Sequence, residues 1–318
     1  MNAVDVVTFG EAMVSFRTEG VLVNGAVCTA HVAGAEANVA IGLARLGHRV
    51  RWVGGLADDV LGELVASTLR AQGVEVVRAP SGGRPAGVML LQRRTADLAR
   101  VAYARKDSAA SRLTAEPVLA ALEAGARRLH ITGITPVLSA SAREATLSAL
   151  RRAGELGVPV SFDVNYRAAL WSRDEAASTL SELARYAQVV IASEDELALA
   201  TPTRSGEAEP TEEEMVAALV ASGCGEVVIK RGAMGASLFR DGVRLDAPAR
   251  QVTVVDVVGA GDAFTAGYLS GRLDDLDDAA CLDRGITLGA FAVSTRGDWE
   301  GLPTRDELAL LGAPDVTR

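Results

Sequence analysis

An acidic side chain directly follows a small-residue turn at Gly259 to Asp262, which reads Gly-Ala-Gly-Asp. Apolar side chains recur at helical spacing over Ala263 to Leu273, so a helix should begin here. The first backbone N–H groups of a helix lack partners within it and attract anions such as phosphate. A carboxylate beside them suits a base that orients a hydroxyl toward a phosphoryl group. An acid that only caps the helix is the equally weighted alternative.

A β-branched run precedes this turn. All residues of Val252 to Val258 except Asp256 are β-branched, a pattern typical of a strand that ends near a sheet edge. Four other polar clusters also follow predicted strands, and ligands of open α/β sheets gather outside the carboxyl ends of the strands. These clusters are Gly10-Glu11, Asn165-Tyr166-Arg167, Ser193 to Glu196 and Lys230 to Gly232. The five polar turns together predict a site at one edge of a sheet.

A phosphoryl-transfer site needs an anion cradle, a metal anchor, a group that aligns the acceptor hydroxyl, and cations for the phosphates. The sequence offers each part: main-chain amides of Gly259, Ala260 and Gly261 as the cradle, Asp262 as the aligning base, Glu196 as the magnesium anchor, and Arg167 or Lys230 as the cations. Neither a Gly-Lys-Ser/Thr sequence nor an early Gly-x-Gly-x-x-Gly is present. A P-loop is therefore excluded, and a dinucleotide site is disfavoured.

Composition narrows the class of protein. The 318 residues are 49% hydrophobic but only 4% aromatic, and the formal net charge is −9. A core of Ala, Val, Leu and Ile suits parallel strands covered by helices. The negative charge argues against nucleic acid as a partner. No apolar run of about 18 residues and no secretory leader are present, so we expect no membrane partner and a cytoplasmic location. Three scattered cysteines indicate neither a disulfide framework nor a zinc site.

The elements that would position these residues follow a regular order. From Glu116 onward, predicted strands and helices alternate, which indicates an α/β fold with a doubly wound, mainly parallel sheet. Short strands over Ser237 to Phe239, Val243 to Leu245 and Gln251 to Val255 predict an antiparallel edge. Segments of about 12–33 and 86–106 predict a small separate β-sheet, a lid over a cleft, within a single domain 1–318. Thr203 to Pro210 predicts a mobile loop.

Several motifs resemble a known family. Asp256-Val-Val-Gly-Ala-Gly-Asp262-Ala-Phe-Thr-Ala-Gly267 is similar to the C-terminal signature of the PfkB, or ribokinase-like, carbohydrate kinases, and the resemblance covers nearly the whole chain. Ala33-Gly-Ala-Glu-Ala-Asn38 resembles the N-terminal sugar-binding motif of that family, with Glu36 where many members have a small residue. Together with Asp163-Val-Asn-Tyr-Arg167 and Arg296-Gly-Asp298, it resembles the 2-keto-3-deoxygluconate kinases within the family.

The resemblance implies a ribokinase-like, Rossmann-like core with a β-lid. It also implies transfer of the γ-phosphoryl group of ATP, with Mg²⁺, to the terminal hydroxyl of an acidic keto sugar, and it adds a monovalent cation as a further candidate cofactor. By match to the subgroup, the sugar-binding residues would be Gly34, Ala35, Glu36, Asn38, Tyr103, Arg105, Arg167 and Asp298. The nucleotide would be lined by Asn165, Arg167, Ser193, Lys230, Gly232, Gly235, Gly259 and Gly261.

Recognition of an acidic sugar centres on Arg105. Its guanidinium can grip a carboxylate with two parallel hydrogen bonds, which a neutral hexose would not require. A solvated charge beside Lys106 is the alternative. Three positions depart from the subgroup pattern: Met89 replaces a Tyr, Ile286 an Asn and Ala57 a Gly.

Two rival functions remain open. A kinase for a neutral sugar such as fructose would share the phosphate machinery and differ in the lid. A non-catalytic sugar or nucleotide sensor would share the fold, although the intact Asp262 and its glycines argue against it. The exposed edges expected for the lid strands predict a homo-oligomer.

Overall fold

A nine-stranded sheet forms the core of the structure, a computed structural model that describes residues 2–94, 98–202 and 210–311. The strands of the described residues are β1 (Val4–Phe9), β2 (Met13–Glu19), β3 (Thr29–Ala33), β4 (Val50–Gly55), β5 (Glu75–Ala79), β6 (Val88–Arg93), β7 (Ala99–Ala104), β8 (Ala126–Thr132), β9 (Val160–Asp163), β10 (Val189–Ser193), β11 (Glu226–Lys230), β12 (Ala236–Arg240) and β13 (Val243–Ala247). The order in the large sheet is β13-β12-β11-β10-β9-β8-β1-β4-β5.

Helices cover both faces of this sheet. They are α1 (Ala35–Arg45), α2 (Val60–Ala71), α3 (Ala115–Glu123), α4 (Ala140–Leu156), α5 (Arg173–Ala184), α6 (Leu197–Ala200), α7 (Glu212–Ala221), α8 (Ala260–Leu273) and α9 (Asp278–Val293). Buried side chains of α1, α2, α8 and α9 pack on one face, and those of α3 to α7 pack on the other. Neighbouring strands in the order β11-β10-β9-β8-β1-β4-β5 pair in parallel. The pairs β11–β12 and β12–β13 are antiparallel. The predicted doubly wound sheet with an antiparallel edge is therefore confirmed.

One predicted strand is wrong, and it is the one before the glycine turn. Residues 251–258 form an irregular segment. Three of its valines are 41–69% exposed: Val254, Val255 and Val257. The N–H groups of Val255 and Asp256 donate to the carbonyl of Val293 at the end of α9, at 2.7 and 3.2 Å. These backbone groups bond to a helix end instead of a sheet edge, so the turn does not connect a strand to α8.

A second sheet of four strands, β3-β2-β6-β7, is built from segments within 12–33 and 86–106. We call it the lid sheet. Arg17 of β2 and Arg93 of β6 lie on one face of this sheet, because strand side chains alternate, and Arg105 directly follows β7. Each pairs with a mostly buried carboxylate of the core: Arg17 with Asp298 at 2.8 Å, Arg93 with Asp256 at 2.6 Å and Arg105 with Glu11 at 2.5 Å. Ion pairs thus join the lid sheet to the core.

Two further expectations concern the chain outside these sheets. The loop predicted over Thr203 to Pro210 lies, apart from Pro210, outside the described residues. None of the helices in the described ranges has the length and apolar character needed to cross a membrane.

Candidate active site

The start of α8 forms the centre of the site. Gly259 precedes the helix with a φ of 75°, in the left-handed region that glycine adopts most easily. A Cβ at this position would lie 2.1 Å from the carbonyl oxygen of Asp298, so only glycine allows the two backbones to approach. Asp262 lies in the first turn, but no side chain caps this helix. The capping alternative for Asp262 is therefore wrong, while the N–H groups of the first turn still lack intrahelical acceptors.

Asp262 is 6% exposed, and each oxygen of its carboxylate accepts one hydrogen bond from a side-chain amide. Asn38 Nδ2 donates to Oδ2 at 2.7 Å, and Asn165 Nδ2 donates to Oδ1 at 3.0 Å. Burial raises the pKa of Asp262, while nearby Arg167 and the hydrogen bond from Asn38 act to lower it. Such a carboxylate can accept and align a hydroxyl group that enters the site.

A buried ion pair lies beside the turn. Lys230 Nζ, at the end of β11, donates to both oxygens of Asp163 at 2.8 and 3.0 Å. Thr265 of α8 donates its hydroxyl to the same carboxylate at 2.8 Å. A Cβ placed on Gly261 would lie 3.5 Å from Lys230 Nζ, so the ammonium group is next to the amide cradle. Burial lowers the pKa of Lys230, yet Asp163 and Glu196 outweigh burial and raise it.

The first turn of α1 brings the predicted sugar motif to this place. A Cβ on Gly34 would lie 2.3 Å from the carbonyl oxygen of Glu11, so the chain passes the end of β1 closely. Glu36, however, has no exposed surface. Its Oε1 accepts hydroxyl groups from Thr132 and Thr135, both at 2.6 Å. Burial raises the pKa of Glu36. Glu36 therefore links α1 by hydrogen bonds to the end of β8 and to the turn that follows it, and its side chain does not line an open surface.

Two predicted sugar-binding residues, Arg105 and Asp298, already have ion-pair partners, which are Glu11 and Arg17. Arg105 pairs with Glu11 and lies over the ring of Tyr103, 5.5 Å from its centroid. Burial raises the pKa of Asp298 to about 7, although the Arg17 guanidinium acts to lower it. Tyr103 is 45% exposed and remains open to a ligand.

The predicted nucleotide residues lie at the ends of β10 and β11. Gly232 and Gly235 form the turn after β11, and Ser193 ends β10. Glu196 accepts backbone N–H groups from Tyr166 at 2.7 Å and from Ser193 at 2.9 Å. One lone pair on each oxygen is thereby used. No cluster of three His, Cys, Asp or Glu side chains that could hold a metal is found in the part of the chain described.

The structure adds residues that the sequence did not assign. Asp163 and Thr265 support the cradle, and Glu11 and Arg17 pair with predicted sugar residues. Asp163 begins the motif Asp163-Val-Asn-Tyr-Arg167, and its place at the end of β9 is the signal for its role. Arg17 offers no such signal, because only the three-dimensional fold brings it to Asp298.

Comparisons with known proteins agree with this geometry. A model of the pfkB family carbohydrate kinases matches residues 4–305. A 2-dehydro-3-deoxygluconokinase of Bacillus subtilis is 37% identical, over 96% of this chain and 94% of that protein. A 2-dehydro-3-deoxygalactonokinase of Haloferax volcanii is 31% identical, over 92% of each. The crystal structure of a 2-dehydro-3-deoxygluconokinase of Thermotoga maritima is similar with a TM-score of 0.84, 28% identity, and coverage of 97% of this chain and 99% of that one.

The Asp163–Lys230 pair yields a prediction on stability. Asp163→Asn removes the charge that compensates the buried Lys230 ammonium, so we expect the free energy of unfolding to fall by about 3 kcal/mol or more. Urea denaturation measures it. Asp241→Asn is the control, because Asp241 is 84% exposed and its ion pair with Arg240 should contribute less than about 1 kcal/mol. Equal losses in the two variants would contradict the role given to the buried pair.

Proposed function

Because the chain belongs to the pfkB family of carbohydrate kinases, we propose that it phosphorylates an acidic keto sugar, 2-keto-3-deoxygluconate, on its terminal hydroxyl to give the 6-phosphate. The observation that carries this proposal is the buried Asp262 carboxylate beside the start of α8. Support for the substrate comes from the relatives that act on dehydro-deoxy sugar acids. ATP is the phosphoryl donor.

Asp262 would act mainly by alignment. A loose phosphoryl-transfer transition state needs little early removal of the hydroxyl proton, so holding the acceptor oxygen in line supplies most of the benefit. The amides of Gly259, Ala260 and Gly261 would stabilise the negative charge of the transferring group. Lys230 adds positive charge beside them, since its ammonium lies close to Gly261. These groups together form the proposed catalytic machinery.

Arg105 would select the acidic substrate. One terminal nitrogen pairs with Glu11, whereas the buried Nε has no hydrogen-bond partner among the described residues. A substrate carboxylate would supply the acceptor that Nε lacks. Gly34, Ala35, Asn38, Tyr103, Arg167 and Asp298 complete the proposed sugar site, with Glu36 in support. Met89 is buried with Met13 and Ala33, so this wall of the lid sheet is apolar.

The nucleotide would lie over the turns that follow β9, β10 and β11, against Asn165, Ser193, Lys230, Gly232 and Gly235. Magnesium usually keeps several waters and takes one or two carboxylates plus substrate phosphates. Glu196 would hold the ion through a bridging water, because each of its carboxylate oxygens already accepts a hydrogen bond from a backbone N–H group. The ion would neutralise phosphate charge during transfer. A monovalent cation stays a further candidate cofactor.

The proposal includes a homo-oligomer in the cytoplasm. Strand β7 is exposed at all six residues and forms one edge of the lid sheet, and exposed edges can pair with a second chain. Cys28, Cys224 and Cys281 are free thiols, which fits a reducing compartment.

Asp262→Asn tests the aligning role. The amide keeps the shape but loses the charge that attracts the acceptor hydroxyl, so turnover should fall by about 10² to 10⁴-fold while ATP binding is retained. Steady-state kinetics and calorimetric titration with ATP measure the two quantities. Asp277→Asn is a matched control, because Asp277 only caps α9 and Asn caps equally well. Near-normal turnover of Asp262→Asn would reject the role.

A panel of acidic and neutral sugars in a coupled ADP assay tests the substrate. We expect turnover of 2-keto-3-deoxygluconate to exceed that of fructose. Arg105→Ala should raise KM for the acid about 10-fold or more, as loss of a charged hydrogen bond would, and raise KM for neutral sugars much less.

Arg100→Ala is the control for this variant, because Arg100 is an exposed arginine of β7, the strand that directly precedes Arg105. Equal KM changes for acidic and neutral sugars would remove Arg105 from carboxylate recognition. A panel in which fructose is preferred would favour the rival neutral-sugar kinase, and binding of sugars without ADP formation would favour the sensor.

Light scattering after size-exclusion chromatography tests the assembly. We expect a mass that is a multiple of 33.0 kDa, because an exposed β7 edge favours pairing between chains. A constant mass of 33.0 kDa across the concentrations tested would refute the oligomer.

A further inference from the structure

Three elements that are distant in sequence meet at the Asp262 carboxylate. Asn38 lies in α1, Asn165 follows β9, and Asp262 lies in α8. All three side chains are nearly sealed from solvent, at 3%, 4% and 6% exposure. Each carboxylate oxygen accepts one amide, from Asn38 at 2.7 Å and from Asn165 at 3.0 Å. The sequence assigned the two amides to other partners, the sugar and the nucleotide.

The amides turn their donor ends to the carboxylate. Oδ1 of Asn38 and Oδ1 of Asn165 are buried and have no hydrogen-bond partner among the described residues. The reverse orientation of either amide would place two acceptors against each other. Two donors on two oxygens suit an ionised carboxylate, because a proton on either oxygen would meet an N–H group and lose one hydrogen bond. The arrangement therefore favours the charged form of Asp262.

Asn165 adopts a backbone conformation that only a few residue types tolerate. Its φ is 44°, in the left-handed region, where Asn is several-fold enriched over other non-glycine residues. Such conformations persist where the surrounding structure determines them, and they occur often at functional sites. The left-handed turn after β9 brings the amide of Asn165 to Asp262, on the side opposite to the helix that carries Asn38.

We propose that Asn38 and Asn165 are positioning residues that hold the Asp262 carboxylate ionised and aimed at the acceptor hydroxyl. The proposal rests on the proposed function, because the reaction needs an ionised aligning group. Burial alone would drive this carboxyl toward its neutral form, and a neutral acid cannot accept the hydroxyl hydrogen in the same way. The two amides stabilise the ionised form of Asp262 without adding a positive charge, for which Asp262 and the phosphates would compete.

Other charged groups also face Asp262. Arg167 and Lys230 lower the pKa of its carboxyl, and Asp163 raises it. Asp262 in turn raises the pKa of Glu36 and of Asp298. The variants below leave all five of these groups in place, so a change in the titration of Asp262 reports on the amides.

The experiment titrates Asp262 directly. The protein is labelled with ¹³C at aspartate carboxyl carbons, and the Asp262 signal is assigned by its disappearance in Asp262→Asn. Asn165→Gly removes the amide while keeping the left-handed backbone, and Asn38→Leu keeps most of the side-chain volume but removes the donor without adding a charge. We expect the midpoint to rise by about one pH unit or more in each variant, because each loses one hydrogen bond to the ionised carboxylate.

Kinetics gives a second readout. Activity falls as pH falls through the midpoint of Asp262, because the ionised form aligns the hydroxyl. Loss of a donor raises that midpoint, so the acid limb of kcat/KM should move to higher pH in both variants. A side chain that only fills space would leave the limb unmoved in Asn38→Leu, which keeps most of the volume and adds no charge. Asn24→Ala, at an exposed turn of the lid sheet, is the control and should titrate like the unaltered protein.

The two proposals can fail separately. The ¹³C titration needs no substrate, so it decides the role of the amides even if no sugar of the panel is phosphorylated. Unchanged midpoints in Asn165→Gly and Asn38→Leu would overturn the amide proposal while leaving the kinase assignment in place. If one variant fails to fold by circular dichroism, the other decides, because one changes a turn and the other a helix.

Discussion

Burial of charge is the constraint on which this structure depends. A carboxylate or ammonium removed from water costs several kcal/mol unless a partner compensates it. The site holds Asp163 and Glu36 at 0% exposure and Asp262 at 6%. Asp163 has Lys230 and a hydroxyl donor, Asp262 has two amides, and Glu36 has two hydroxyl donors. The parallel sheet serves this need, since it brings the ends of its strands to one edge where these partners meet.

The same constraint governs the junction between the lid sheet and the core. Apolar side chains contribute to it: Val14 of β2 and Val32 of β3 belong to the same buried cluster as side chains of α1, α2 and α8. Arg17, Arg93 and Arg105 add ion pairs with carboxylates that are at most 5% exposed, namely Glu11, Asp256 and Asp298. Removing either member of such a pair leaves a buried charge without its partner. The junction between the lid sheet and the core therefore combines apolar packing with charge pairing.

Sequence patterns predicted what depends on local spacing. Strand β1, Val4–Phe9, is predictable from the sequence with its observed bounds, because an apolar run bounded by glycine is a strong strand signal. The run over 251–258 has the same signal, yet its exposed valines and its bonds to the end of α9 make it irregular. β-Propensity describes fit to a pleated, half-buried surface, and tertiary contacts overrode it here. Strand β2 lies within the predicted segment of about 12–33, but its bounds are not predictable from local pattern, since its polar residues find their partners only across the fold.

The site shows the same division between local and long-range information. Glycines at a helix start predict an anion cradle, because the unpaired N–H groups are a local consequence of helix geometry. The partners of Asp262 are 224 and 97 residues away, and no spacing rule predicts them. Glu36 illustrates the limit well. Its motif suggested a sugar contact, whereas the carboxylate in the first turn of α1 accepts hydroxyl groups from Thr132 at the end of β8 and from Thr135 just after it.

Substrate charge and the Arg105–Glu11 pair are linked by the same electrostatics. Because Glu11 neutralises Arg105, the pair contributes little net field at long range, so it does little to draw an anion toward the cleft. Glu11 is itself fixed by the hydroxyl of Ser108 at 2.7 Å, and this fixes the plane of the guanidinium in turn. A carboxylate that binds Arg105 then meets donors that are already oriented and loses little entropy in the process. Discrimination for acidic sugars would thus arise from geometry at short range, and for that reason it should depend only weakly on salt.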